Sequence, residues 1–234
     1  MTGEIYRERL DVIRGRMEEA SEGRYPLPRI LAVTKTHPVE VIFPLLEAGI
    51  VDIGENRVQE IRDKYPALCE NFHFHMIGRL QTNKVKYIIT KVCLIHSVDR
   101  MELADEIRRQ ALKKECVVPV LLQVSPCGEE QKGGCGMDEV EGMLRALGRM
   151  EGLQVRGLMA VMPNTEDTDF LDGLFRGMRL CFERMRDLGI PGVRMEELSM
   201  GMSHDYPLAA RHGATMVRIG SALLGQRNYT VPVN

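Results

Sequence analysis

No apolar run in the sequence approaches the roughly 18–20 residues that a helix needs to cross a bilayer, so no membrane span is expected. The start, Met1-Thr2-Gly3-Glu4-Ile5-Tyr6-Arg7, lacks a basic segment followed by an apolar one, and no secretory leader is expected either. Charge of one sign is also lacking. The formal net charge is −2 and the lysines and arginines are spread along the chain, which argues against a nucleic-acid partner. Six cysteines occur, at Cys69, Cys93, Cys116, Cys127, Cys135 and Cys181, but none forms a CxxC pair. With no His-rich segment to complete a zinc pattern, they read as free thiols of a reducing cytoplasm, and no metal is expected. No GxGxxG follows the first strand and no GxxxxGK[ST] occurs, so the common nucleotide signatures of open α/β sheets are missing. Internal repeats, low-complexity runs and linkers are absent too. The expectation is one domain over residues 1–234.

What is present is an ordinary globular composition, 44% hydrophobic and 27% charged, in a chain long enough to bury a substantial core. Tyr6, Leu10, Ile13, Met17 and Ala20 recur at helical spacing and predict an N-terminal helix. A strand follows, Ile30-Leu31-Ala32-Val33, ending at Thr34-Lys35-Thr36-His37-Pro38. Val39, Ile42, Phe43, Leu45 and Leu46 then mark a helix face closed by Gly49. From there strands alternate with helical patterns. Strands are expected at 51–53, 72–77, 92–98, 117–124, 155–161, 195–200 and 215–219. Val85, Ile88 and Ile89 predict the helix after the third strand, and Asp99 with Glu102 resembles a capping box at the helix after the fourth. Eight strand–helix units with an extra N-terminal helix predict an α/β fold, a single (β/α)8 TIM-type barrel; an open doubly wound sheet is the competing architecture.

In such a barrel chemistry gathers at the C-terminal ends of the strands. Lys35 stands there after the first strand, Glu55 and Asn56 after the second, His75 in the third and Arg218 in the eighth. The loops after strands seven and eight, the usual phosphate site of the fold, offer Ser199-Met200-Gly201-Met202-Ser203 and Gly220-Ser221. A desolvated lysine can attack an aldehyde, and glycine-rich loops let backbone N–H groups approach a phosphate. Together they suggest pyridoxal 5′-phosphate. Arg218 near the pyridine nitrogen would keep that nitrogen unprotonated and the ring a weak electron sink. Plainer readings stand beside these. Ser203 could only cap a short helix, His75 could be a hydrogen-bonded core histidine, and Asn56 could be a helix cap.

The segments Leu31-Ala32-Val33-Thr34-Lys35-Thr36, Gly54-Glu55-Asn56-Arg57-Val58-Gln59-Glu60, His75-Met76-Ile77-Gly78-Arg79-Leu80-Gln81-Thr82-Asn83-Lys84, His96-Ser97-Val98-Asp99-Arg100, Gly157-Leu158-Met159-Ala160, Leu198-Ser199-Met200-Gly201-Met202-Ser203 and Val217-Arg218-Ile219-Gly220 resemble the pyridoxal phosphate homeostasis protein family. The resemblance runs from about Ile30 to Tyr229. It implies a fold-type III barrel similar to the N-terminal domain of alanine racemase, pyridoxal phosphate as cofactor, and a role in vitamin B6 homeostasis without established catalytic turnover. It further implies Lys35 as the Schiff-base lysine and Arg218 at the pyridine nitrogen. By the same resemblance Ser203, Gly220 and Ser221 hold the phosphate with Ser199 nearby, and Asn56, His75 and Met200 line the ring. Lys84 and Lys132 look like the family's accessory lysines, although the loop 124–136 is richer in glycine and cysteine than the family's. Position 221 is serine where threonine is common, which keeps the hydroxyl. The alternative function is a pyridoxal-phosphate-dependent amino-acid racemase. Racemases of this type carry a second β-domain and a tyrosine from the partner subunit. The chain ends at Asn234, soon after the eighth strand, so neither is expected here and the chain is expected to be a monomer. Pyridoxal-phosphate-dependent apoenzymes are the expected recipients.

Overall fold

Eight strands pair in chain order and close on themselves: β1 (Arg29–Val33), β2 (Asp52–Glu55), β3 (His73–Met76), β4 (Leu94–Val98), β5 (Val118–Val124), β6 (Leu153–Ala160), β7 (Val193–Met202) and β8 (Met216–Ile219). The computed structural model describes residues 2–128 and 133–225. All pairings are parallel. The β1–β8 pairing, with Leu31 beside Arg218, excludes the open doubly wound sheet. Successive strand residues face opposite sides. Ile30, Ala32, Ile53, Phe74, Met76, Ile95, Val217 and Ile219 therefore join the large apolar cluster under the helices, whereas Leu94, Leu121 and Met159 form a separate cluster inside the barrel.

The outer layer comprises α1 (Gly3–Ser21), α2 (Val39–Ile42), α3 (Val58–Leu68), α4 (Met101–Lys113), α5 (Val140–Leu147), α6 (Thr168–Asp187), α7 (Tyr206–Arg211) and α8 (Ser221–Leu224). The helix α1 buries Tyr6, Leu10, Ile13 and Met17. It bridges the first and last units: Tyr6 donates its hydroxyl to Val41 O at 3.0 Å and Arg9 donates to Leu223 O at 2.7 Å. Since α8 is only four residues long, the extra helix covers the barrel where the last unit is too short to do so.

Three local expectations are corrected. The helix expected from Val39 to Leu46 splits into α2 and a 3-10 segment, Phe43–Ala48, because Pro44 has no N–H to continue the first ladder. Gly49 closes it in the left-handed conformation, as expected. The segment around Val85 is a 3-10 turn, Thr82–Tyr87, rather than an α-helix. Asp99 does not cap α4. Arg100 is the N-cap, and the Asp99 carboxylate accepts from the Arg100 guanidinium instead. Among the described residues no helix is long and apolar enough to cross a membrane, and no group of three or more His, Cys, Asp or Glu could hold a metal ion.

Candidate cofactor site

Lys35 lies in the turn after β1, half-buried. Leu31 and Val33 lie outside the helix-side cluster, and the alternation carries Lys35 to the same inner side, with Thr34 turned outward between them. The two peptide groups flanking Lys35 are clamped from α3. Lys64 donates from Nζ to Thr34 O at 2.9 Å, and Thr36 N donates to Glu60 Oε2 at 2.6 Å. Thr36 itself takes a left-handed φ of 66°. A β-branched residue there costs on the order of 1–3 kcal/mol. The strain is held by that amide bond and by Thr36 Oγ1 donating to Lys35 O at 2.6 Å.

The clamp is ionic. Lys64 Nζ also reaches Glu55 Oε1 at 2.7 Å and Glu60 Oε2 at 2.9 Å, and Thr34 Oγ1 donates to the same Glu55 oxygen at 2.7 Å. Glu55 is fully buried and its second oxygen, Oε2, has no hydrogen-bond partner among the described residues. Burial pushes its carboxyl up to about 7, against the pull of the Lys64 ammonium. Burial also works to raise Glu60, but the Thr36 N–H and Lys64 outweigh it and hold the group below the usual carboxylate range.

Inside the barrel a second polar network starts from Arg218, which is 4% exposed. Its Nη1 donates to Ser199 O and Ser199 Oγ, both at 2.8 Å, and its Nη2 to Ala160 O at 2.7 Å. Burial pulls the guanidinium down to about 10, with Asp205 opposing, so it stays charged at neutral pH. The chain continues from Ser199 Oγ to His96 Nδ1 at 3.1 Å, from His96 Nε2 to His75 Nδ1 at 3.0 Å, and from His75 Nε2 to Asp52 Oδ1 at 3.5 Å. The contact with His75 holds the Asp52 carboxyl down at about 2, so that end is an anion. Complete burial drives His96 well below its ordinary value and keeps it neutral. The imidazoles and the Ser199 hydroxyl can each donate and accept, so the chain links the Arg218 guanidinium to the Asp52 carboxylate through groups whose donor roles are set by the histidine tautomers.

At the neighbouring mouth the loops after β7 and β8 meet. Gly220 N and Ala222 N donate to Ser203 Oγ at 3.2 and 3.3 Å. Ser203 thus caps nothing in α7; it joins Gly220 and the exposed Ser221. Two glycines here differ. At Gly201 φ is +92° and an added Cβ would lie 2.4 Å from Ala209 Cβ, so the fold requires glycine. At Gly220 the nearest atom to an added Cβ is Val33 Cβ at 3.5 Å, an ordinary contact, so packing does not explain the glycine.

The structure thus joins Ser199 to Arg218 inside the barrel and Ser203 to Gly220 in the loops after β7 and β8, while Lys35 and Ser221 each follow a strand end. Asn56 is half-buried in the turn after β2. His75 is buried within the interior chain. Met200 is fully buried in the helix-side apolar cluster, with neighbouring Ser199 on the inner side of the same strand. Lys84 is exposed on the Thr82–Tyr87 turn, and Lys132 lies outside the described residues. Sequence reasoning missed Lys64, Glu60, His96 and Asp52. The Glu60–Lys64 spacing was a visible i,i+4 pair, but such pairs are usually solvated, and nothing in the spacing marks this one as buried.

Residues 9–228 match the family model described as alanine racemase, N-terminal domain. The pyridoxal phosphate homeostasis protein of Aquifex aeolicus is 43% identical over 227 residues, covering 95% of this chain and 98% of that one. The chain belongs to the pyridoxal phosphate homeostasis protein family. Among solved structures, PipY of Synechococcus elongatus with PLP bound is 32% identical with a TM-score of 0.81, over 94% of this chain and 100% of that one. An alanine racemase of Clostridium difficile shares the fold at 16% identity and a TM-score of 0.72, with this chain covering 57% of its length.

The residues present fit pyridoxal phosphate. A half-buried lysine stands at a barrel mouth, beside a glycine that packing leaves unexplained and a buried guanidinium.

Proposed function

We propose that this chain binds pyridoxal 5′-phosphate at the C-terminal mouth of its barrel, with Lys35 as the Schiff-base lysine. It serves cofactor homeostasis without established catalytic turnover. The observation that carries the reading is the clamp on both peptides flanking Lys35, which holds one amine at the mouth that Arg218 and the Ser203–Gly220 pair also face. When bound, the cofactor supplies an aldehyde that an amine can take up with loss of water, and an electron-withdrawing ring. Ser203, Ser221 and the Gly220 backbone hold the phosphate, with Ser199 behind them. Arg218 donates to the ring nitrogen and, as a permanent cation, does not give that nitrogen its proton. The ring stays a weak electron sink, which suits holding the cofactor rather than turning over amino acids. Asn56 and His75 line the ring; Met200, expected beside them, packs under the helices instead.

The racemase alternative needs a base on each face of the substrate carbon. His75 is the residue at hand, but both its ring nitrogens are engaged, by His96 and Asp52, in the buried interior. We take the chain to act as a single-domain, cytoplasmic monomer that passes its cofactor to pyridoxal-phosphate-dependent apoenzymes.

The test is an absorbance spectrum after incubation with pyridoxal phosphate, in wild type and Lys35→Ala. A band at about 420 nm that borohydride fixes to Lys35, and that the variant lacks, is expected. A colourless wild-type protein refutes the cofactor reading. Steady racemisation of an added amino acid by the wild type favours the alternative.

A further inference from the structure

Beside the barrel mouth, between the start of α3 and the loop after β3, lies a cleft of about 740 Å³ that the cofactor reading does not use. Arg57, Arg62, Arg79, Lys84 and Arg100 line it, and no Asp or Glu does. Arg100 is neutralised by Asp99. Among the described residues, the other four make no ion pair. A chain whose net charge is −2 therefore holds four uncompensated cations around one concavity. Like charges gathered in a cleft repel one another and focus a positive field into it, a cost that a bound anion relieves. Arg57 is also the N-cap of the 11-residue α3 and provides no side-chain cap, so the first N–H groups of that helix lie at the cleft wall without a side-chain acceptor.

We propose that this cleft binds a ligand carrying a pyrophosphate-type group. Its volume is that of a small-ligand site rather than of a groove for a polymer. Guanidinium forks suit phosphate oxygens, and four cations match the charge of two or three linked phosphates rather than one. The aromatic ring at the cleft, Tyr87, is already covered by Arg62 at 4.8 Å and approached by Lys86 at 5.0 Å. The site therefore reads phosphate charge and offers no platform for stacking a base. Lys84 acquires a role here, 6.0 Å from the same ring and lining the cleft.

The assignment stands apart from the cofactor reading, although Asn56 borders both places. Calorimetric titration with inorganic pyrophosphate and, separately, with a nucleoside diphosphate tests it. Saturable binding that weakens with added salt is expected. Equal binding is the result expected of a site that reads phosphate charge alone; tighter binding of the nucleotide shows that the nucleoside is read as well. The R57Q/R79Q double variant should bind at least about tenfold more weakly, and should melt at or above the wild-type temperature because repulsion is relieved. S203A, which alters the cofactor's phosphate cradle, should bind pyrophosphate like wild type. The proposal is overturned if neither phosphate binds. It is equally overturned if R57Q/R79Q binds as well as wild type, or if S203A abolishes binding.

Discussion

Replacing Lys64 by methionine keeps the unbranched four-atom stem and removes the ammonium that joins Thr34 O, Glu55 and Glu60. The site is enclosed, with the Lys64 side chain 9% and the Glu55 side chain 0% exposed. Stripping the partner from a buried charge costs about 3–5 kcal/mol. The cost depends on pH in a direction that Glu55 dictates. Its pKa in the fold, about 7, lies above its ordinary 4.5. The stability contributed by its protonated form is therefore fully present below about pH 4.5 and is lost as pH rises through 7. Each pH unit of that interval is worth about 1.36 kcal/mol, so ionising Glu55 within the wild-type fold costs roughly 3 kcal/mol. In Lys64→Met both influences of Lys64 that lower the Glu55 pKa disappear, and the loss continues above pH 7. The stability gap between wild type and variant should narrow in acid to the lost hydrogen bonds, about 1–3 kcal/mol. Above pH 7 it should widen by about 1.4 kcal/mol per pH unit. Urea unfolding of both proteins from about pH 6 to about pH 9 measures this. A gap that stays constant over that range refutes the account of Glu55 as a carboxyl held up by burial and down by Lys64.

Gly201→Ala should destabilise by about 1–3 kcal/mol or more, because it adds left-handed strain to a 2.4 Å clash with Ala209. Gly220→Ala should melt near the wild type yet hold pyridoxal phosphate more weakly; a melting loss matching that of Gly201→Ala would show that the second glycine also serves only the fold. Asp52 is held at about 2 against an ordinary 3.8, so its contribution, roughly 2 kcal/mol, is present above about pH 4 and lost as pH falls through 2. Asp52→Asn should accordingly lower stability at neutral pH and flatten the acid limb of a circular-dichroism titration, and an unchanged acid limb counts against the interior chain. Arg218→Leu leaves the Ser199 and Ala160 carbonyls buried without their donor. It should cost about 2–4 kcal/mol in urea unfolding, and a neutral result would mean that the carbonyls find water.

The sequence by itself determined the architecture. Strand patterns alternating with helical ones leave few topologies once crossovers must be right-handed, and the positions of Lys35, Arg218 and the loops after β7 and β8 at strand ends follow from that order alone. Local motifs also carried the family, because they concern residues adjacent along the chain. Only the tertiary structure decided which way side chains turn and what they meet. Glu55 looked like part of a strand-end motif; closure of the barrel placed it outward, where α3 brings Lys64 across to it. Met200 and Ser199 are neighbours in sequence, and the strand's alternation sends one under the helices and the other to Arg218. His75 and His96 belong to different strands, and no spacing announces that they share a hydrogen bond. Local propensity acts over a few residues, whereas partners of a buried polar group are chosen by the shape of the closed barrel, where each donor must find an acceptor or pay for lacking one.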